Sequence, residues 1–237
     1  MDNSINDFPY LDRQEFSEAC HHLDRQYCHA TLGPLRRRWR LRLCNALDTV
    51  FSVDGGYTTY IQVTRPLEPR GGHDSLSLDM GRISISGQGH QDAMVEADQD
   101  MMDAEELDSA AIIKRMPGRD AEHVTYEIHL HPTYQVPCLW FTLHNLPADE
   151  PAFSIDTVFR RLVPDEYKDG LRGRGAIGGI SADHHPVTGV PSFFVHPCLV
   201  GEALSRFECS RENYLIIWLG LVGGCVGLWV PKEMVVQ

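Results

Sequence analysis

Apolar and polar positions alternate or recur with clear periods along most of the chain. Phe16, Cys20, Leu23 and Tyr27 recur at helical spacing. Asp12-x-x-Glu15 just before them resembles a capping box, with Asp in place of the hydroxyl residue. Together they predict an amphipathic helix over residues 13–30, ended by Gly33-Pro34. From Arg38 to Cys44 the period falls to two. Arg38, Arg40 and Arg42 take one face and Trp39, Leu41 and Leu43 the other, which is a half-buried strand. Tyr57 to Val63 is rich in Tyr, Thr, Ile and Val and reads as a second strand. In the third, Glu122 to Leu130, Val124, Tyr126, Ile128 and Leu130 alternate with polar residues. His131 to Gln135 then turns the chain into a fourth strand, Val136 to Leu143, which makes an antiparallel hairpin.

The remaining patterns are shorter. Ser154 is a candidate N-cap for a helix carrying Ile155, Val158, Phe159 and Leu162, stopped by Pro164. Ser210 stands in the same role before Leu215, Ile216, Trp218, Leu219 and Val222, with Gly223-Gly224 ending that helix. Between them, Pro186 to Val190 carries turn chemistry, and Ser192 to His196 is a short aromatic and β-branched strand. Helix, strands, helix, strand and helix in this order predict an α+β fold: an antiparallel four-stranded meander flanked by helices. Residues 66–108 break the pattern. They are Gly-, Ser- and Asp-rich, then strongly acidic with scattered Met, and are expected to form a flexible acidic insertion in a single catalytic domain over 1–237, with Ser75 to Ile85 able to hold a short strand.

Composition narrows the function classes. The net charge of -12 argues against wholesale nucleic-acid binding. Arg36 to Arg42 is the single basic cluster, either a solvated strand face or a docking surface for an acidic partner. Seven cysteines without CxxC spacing, and residues 1–10 without signal-peptide character, imply free thiols in a reducing, cytoplasmic compartment. Tyr214 to Val230 is apolar, but it is short for a bilayer and is interrupted by glycines; it reads as a buried helix, a turn and a short strand rather than a transmembrane segment.

The candidate chemistry lies in His196-Pro197-Cys198. Pro197 biases His196 towards extended backbone, and residues two apart in extended chain face the same side. His196 is thereby set to tune the thiol of Cys198 or to shape its loop. A buried core thiol is the plain alternative for a cysteine. Gly173-x-Gly175-x-x-Gly178 fits a dinucleotide fingerprint in letters only, because a helical stretch precedes it and no helix follows. It reads as a flexible approach loop, and no cofactor is expected. His184, His185, His196 and Cys198 are a poor zinc set, so no metal is expected either.

Pro186 through Cys198 resembles the active-site segment of the autophagy E2-like conjugating enzymes: Pro-x-x-Gly-x-Pro, two aromatics and His-Pro-Cys. Tyr134-Gln135-Val136-Pro137 with Leu139-Trp140-Phe141, and Tyr214, Trp218, Leu219 and Val222-Gly223 with Val226-Gly227-Leu228, are similar to that family as well. The resemblance extends over Glu122 to the C-terminus and loosely over the first helix. It implies an E2 (ubiquitin-conjugating-enzyme-like) fold with family-specific insertions. It also implies that Cys198 accepts a ubiquitin-like modifier as a thioester from an E1-like activating enzyme and passes it to an acceptor. The short acidic N-terminus and the Tyr-Gln-Val-Pro form resemble the branch that conjugates to a protein lysine. Its partners would be autophagy-related seven as E1, autophagy-related twelve as modifier and autophagy-related five as acceptor. The lipid-conjugating branch is the alternative.

Such an acyl transfer needs a donor for the tetrahedral oxyanion. The His-Pro-Asn tripeptide of ordinary E2 enzymes is absent. Asn145, in Leu143-His144-Asn145, is one candidate, and Tyr57 and Tyr60 are others. The 122–143 hairpin is a candidate acceptor-docking edge. A thiol hydrolase using Asp183, His184, His185 and Cys198 is the rival enzyme, and a non-catalytic binding module the rival outside enzymology.

Overall fold

The structure is a computed structural model and describes residues 4–47, 56–68, 121–172 and 179–235. Residues 1–67 with 122–237 make one compact unit. Residues 68–121 make a second, of which only Glu68 and Ala121 are described. The insertion expected from residue 66 begins later, since Pro66 still pairs with His123 and Leu67 is buried; the rest of it, the short strand at 75–85 and the 173–178 loop lie outside the described residues.

Helix α1 spans Arg13–His29 and starts with the capping box that the sequence predicts. The Asp12 carboxylate accepts the Glu15 N–H at 2.7 Å, and the Glu15 carboxylate accepts the Asp12 N–H at 3.2 Å. Phe16, Cys20, Leu23 and Tyr27 are all buried, as their spacing requires. Gly33-Pro34 leads into a short helix, α2 (Leu35–Arg38), so Arg38 belongs to that turn and not to the strand. Arg36 reaches back to the carbonyls of Tyr27, Cys28 and Ala30 and lies over the Tyr27 ring at 4.6 Å. Part of the basic cluster is thus a cap for carbonyls left unpaired at the helix end.

Strands β1 (Arg40–Leu47), β2 (Tyr57–Pro66), β3 (His123–Leu130) and β4 (Pro137–His144) pair antiparallel in sequence order. The sheet does not stop there. After α3 (Ile155–Arg161) and α4 (Asp165–Arg172), the chain adds β5 (Ile180–His184) and β6 (Pro191–Val195). The order is β1-β2-β3-β4-β6-β5, six antiparallel strands where the sequence pattern predicts a four-stranded meander. Strand β5 escapes sequence reading because its alternation, Ile180 and Ala182 against Ser181 and Asp183, is only four residues long and carries one large apolar side chain. Then come α5 (Val200–Leu204), α6 (Tyr214–Val222) and 3-10 turns over Gly223–Val226 and Lys232–Met234. Two features differ from the sequence pattern. Asn213, not Ser210, is the N-cap of α6, and its side chain accepts the Ser210 N–H. No strand follows α6 among the described residues.

One face of the sheet is the core face. Ile61, Val63, Val124, Tyr126, Ile128, Leu139, Phe141 and Val195 point there and pack against Phe16, Leu23, Tyr214 and Trp218 of α1 and α6. Buried hydroxyls find backbone partners, as they must. Tyr126 donates to the Val226 carbonyl at 2.7 Å, and Tyr214 to the Pro9 carbonyl at 2.6 Å. No described helix is long and apolar enough to cross a membrane.

Candidate active site

Antiparallel pairing fixes where the sequence-predicted residues fall. Leu139 lies opposite Val195, and Val195 opposite Ile180. The chain leaves β6 at His196, whose N–H donates to the Gly179 carbonyl at 2.9 Å. It then turns instead of continuing extended: the Val200 N–H bonds the Pro197 carbonyl at 3.0 Å, and α5 begins. Cys198 sits in this turn, exposed, beyond the end of a strand flanked on both sides by other strands. A thiol there is held by a rigid scaffold and open to a large partner.

His196 is not aimed as the extended-chain argument supposes. Its Nδ1 accepts the backbone N–H of Cys198 at 3.2 Å. An acceptor Nδ1 leaves the proton of the neutral ring on Nε2. The ring therefore ties down the peptide that carries the thiol, and it removes the Cys198 N–H from the pool of oxyanion donors. Two residues join it from the β3–β4 turn. The Tyr134 ring stands 5.7 Å from His196 and 4.8 Å from His131. The His131 Nδ1 accepts the N–H groups of Thr133 and Tyr134. Desolvation, with the neighbouring His196 adding to it, holds the pKa of His131 below the usual histidine value. Gln135 closes the turn in the left-handed region at φ 52°, a strained place for a side chain beside a site. The sequence marked Tyr134 only as part of a family motif. Nothing in the local pattern shows that the turn lies beside Cys198.

The other candidates are elsewhere. Asn145 follows the last residue of β4, about 20 Å from Leu139 at roughly 3.3 Å per residue, away from the Cys198 end. The structure does not bring Asn145 to the thiol, so its candidacy as oxyanion donor fails on register. Tyr60 lies in the row Tyr60–His129–Cys138–His196 across the sheet. Three strand spacings put it ~14 Å from His196. Asp183, His184 and His185 lie at the turn end of the β5–β6 hairpin, opposite to the Cys198 end, so the hydrolase triad and the zinc set do not assemble. The 122–143 hairpin is not a docking edge either, since β2 covers β3 and β6 covers β4.

The remaining thiols differ from Cys198 in their surroundings. Cys20, Cys138 and Cys225 are buried. Burial pushes Cys138 up to about 12 and Cys225 up to about 11, the latter offset in part by a backbone hydrogen bond. Such thiols stay protonated at neutral pH. Cys28, the other exposed thiol, is on the last turn of α1.

A second cluster, unforeseen in the sequence, lies on the sheet face away from the core. Glu127 Oε2 is bonded by His129 Nε2 at 2.9 Å and His185 Nε2 at 3.0 Å, and Glu127 Oε1 by Gln62 at 3.0 Å. Burial raises the carboxyl pKa, but the three donors outweigh it and hold the group well below the usual carboxylate range. Two histidines and a carboxylate are a metal-ligand set by type. The hydrogen bonds argue against that use. His185 Nδ1 accepts the N–H groups of Val187 and Thr188, so its proton is on Nε2, where a metal would have to bind. The cluster instead fastens the 185–190 turn to the sheet. A signal was present in the alternation Thr125, Glu127, His129, but its partner His185 is far along the chain.

Comparison with known proteins agrees with this geometry. The family model described as "Autophagocytosis associated protein, active-site domain" matches residues 15–233. A protein of Gibberella zeae named "Ubiquitin-like-conjugating enzyme ATG10" is 67% identical over 99% of this chain and 100% of its own. A Homo sapiens protein of the same name is 28% identical over 53% of this chain and 58% of its own. One of Arabidopsis thaliana is 25% identical over 69% and 75%. A match across nearly the whole chain, with His-Pro-Cys presented at a strand end, puts this protein in the autophagocytosis-associated active-site family, the E2-like conjugating enzymes of autophagy.

Proposed function

We propose that this protein, on an E2-like fold, accepts a ubiquitin-like modifier as a thioester on Cys198 and passes it to a lysine of an acceptor protein. The observation that carries the reading is the exposure of Cys198 in His-Pro-Cys just beyond β6. The partners that fit are autophagy-related seven as the E1-like enzyme, autophagy-related twelve as modifier and autophagy-related five as acceptor, in the reducing cytoplasm. In the first step the Cys198 thiolate attacks the thioester carbonyl on the E1 cysteine, and the E1 thiolate leaves. In the second a neutral lysine amine attacks the Cys198 thioester, the amine proton departs, and an isopeptide bond forms as the Cys198 thiolate leaves. His196 positions Cys198 through its backbone N–H.

Transfer to protein fits better than transfer to lipid. Residues 4–11 form no amphipathic helix: Ile5 and Leu11 are buried, and the Pro9 carbonyl is held by Tyr214. The test combines the protein with the E1-like enzyme, ATP and the modifier on non-reducing gels. A thiol-sensitive adduct is expected, lost in Cys198→Ala and made durable in Cys198→Ser. An adduct lost instead in Cys28→Ala would overturn the assignment.

A further inference from the structure

Among the described residues the antiparallel sheet has six strands and two outer edges, β1 and β5. Only β5 begins at the site: Gly179, which precedes it, bonds His196. The ladder fixes which backbone groups of β5 are engaged. Gly179 pairs with His196 and His185 with Val190 through N–H···O bonds. Hydrogen-bonded and non-bonded pairs alternate in an antiparallel ladder. Ser181 and Asp183 therefore turn their N–H and C=O groups towards β6, while Ile180, Ala182 and His184 turn theirs away from it. The far end is blunted, because Asp183 Oδ1 takes the His184 N–H at 2.7 Å. Ile180 and Ala182 remain as outward rungs nearest the thiol. Ala182 is exposed, and no other described strand pairs with β5.

Direction selects the occupant. Strand β5 runs from its Cys198 end towards the turn at His185. A parallel visitor would carry its C-terminus away from the thiol, and an antiparallel one would carry it to the thiol. The thioester is formed by the C-terminal carboxyl of an extended tail. We infer that the modifier's C-terminal tail adds to β5 as an antiparallel seventh strand, bonded to the outward backbone groups of Ile180 and Ala182, which delivers its terminal glycine to Cys198. Edge pairing of this kind supplies affinity from main-chain bonds, with little demand on side chains. It also holds the reacting carbonyl in place without a rigid pocket.

The inference rests on the thioester reading of Cys198, and amide exchange separates the two. The full-length Cys198→Ser protein is loaded with autophagy-related twelve by the E1-like enzyme and ATP, and its exchange is compared with that of the free protein. The proposal expects the amides of Ile180 and Ala182 to slow tenfold or more, and those of Ser181 and Asp183, already bonded to β6, to stay unchanged. An ester that forms without slowing Ile180 and Ala182 would overturn the seventh strand and leave the thioester intact. Failure to form any ester would overturn both. Protection of the same amides by the acceptor protein alone would assign the edge to the acceptor and refute the proposal. As a second variant, Ala182→Pro deletes an outward N–H that bonds nothing in β6, a substitution that sheet edges tolerate. It is expected to keep its melting temperature and to load several-fold more slowly; loading at the parent rate would also overturn the proposal.

Discussion

At the scale of single residues, the case for Cys198 is a contrast in environment. Burial keeps Cys138 protonated, with its Sγ 3.5 Å from the Val195 carbonyl, whereas Cys198 is exposed at the end of the same ladder. His196 acts on the backbone of Cys198, which makes a split between two variants informative. Asn presents its side-chain oxygen where the His Nδ1 stands, so His196→Asn retains the acceptor and is expected to load near the parent rate. His196→Ala loses it. A hydrogen bond worth about 1 kcal/mol corresponds to a drop of roughly fivefold in loading rate. Equal loading by the Ala and Asn variants would remove His196 from its positioning role.

Among elements, two devices carry separate weights. The capping box at α1 closes two N–H groups at once, so Asp12→Ala is expected to destabilise the protein by about 1 kcal/mol in denaturant titration, with unchanged loading. The Glu127 cluster fastens the 185–190 turn. Glu127→Ala leaves two buried histidine donors unpartnered, at a cost of about 2 kcal/mol. For a protein of this size that lowers the melting temperature by about 4–8 °C. The same cluster sets a pH dependence. Burial, offset in part by Glu127, holds the folded-state pKa of His129 below its unfolded value of about 6.5. The unfolded chain then binds the extra proton first, so stability is full above pH ~6.5 and declines as pH falls below it. Glu127, with its depressed pKa, extends the decline below pH ~4.3. A melting temperature flat from pH 7.5 to 5 would contradict this. Legibility in the sequence follows the range of the interactions. Helix α1 and strands β1 to β4 were legible because their period and caps are local. Strand β5 was not, because its alternation is four residues long and holds a single large apolar side chain, Ile180. The Glu127–His185 bond and the approach of Tyr134 to His196 were not, because register brings together residues that no window along the chain contains.

Across the whole molecule, the packing is arranged so that one chain turn faces outward from a fixed frame. Strand β6 lies between β4 and β5, and the Tyr126–Val226 bond ties the residues after α6 to the sheet. Trp218, fully buried in α6, packs in the same core as Val195. Trp218→Ala is expected to destabilise the protein by about 3–5 kcal/mol and to reduce loading only through the folded fraction. A folded Trp218→Ala population that no longer loads would mean that the frame does more than hold the turn. The family segment from Pro186 to Cys198 was legible as chemistry, but the frame that presents it was not, since six strands had to be counted in three dimensions.

The most direct measurement is peptide mapping by mass spectrometry of the adduct formed with E1-like enzyme, ATP and modifier, trapped as an ester in Cys198→Ser. The modifier's C-terminal glycine is expected on residue 198 and on no other residue. A glycine remnant on Cys28, Cys44 or Cys209 instead, or no adduct at all, would contradict it.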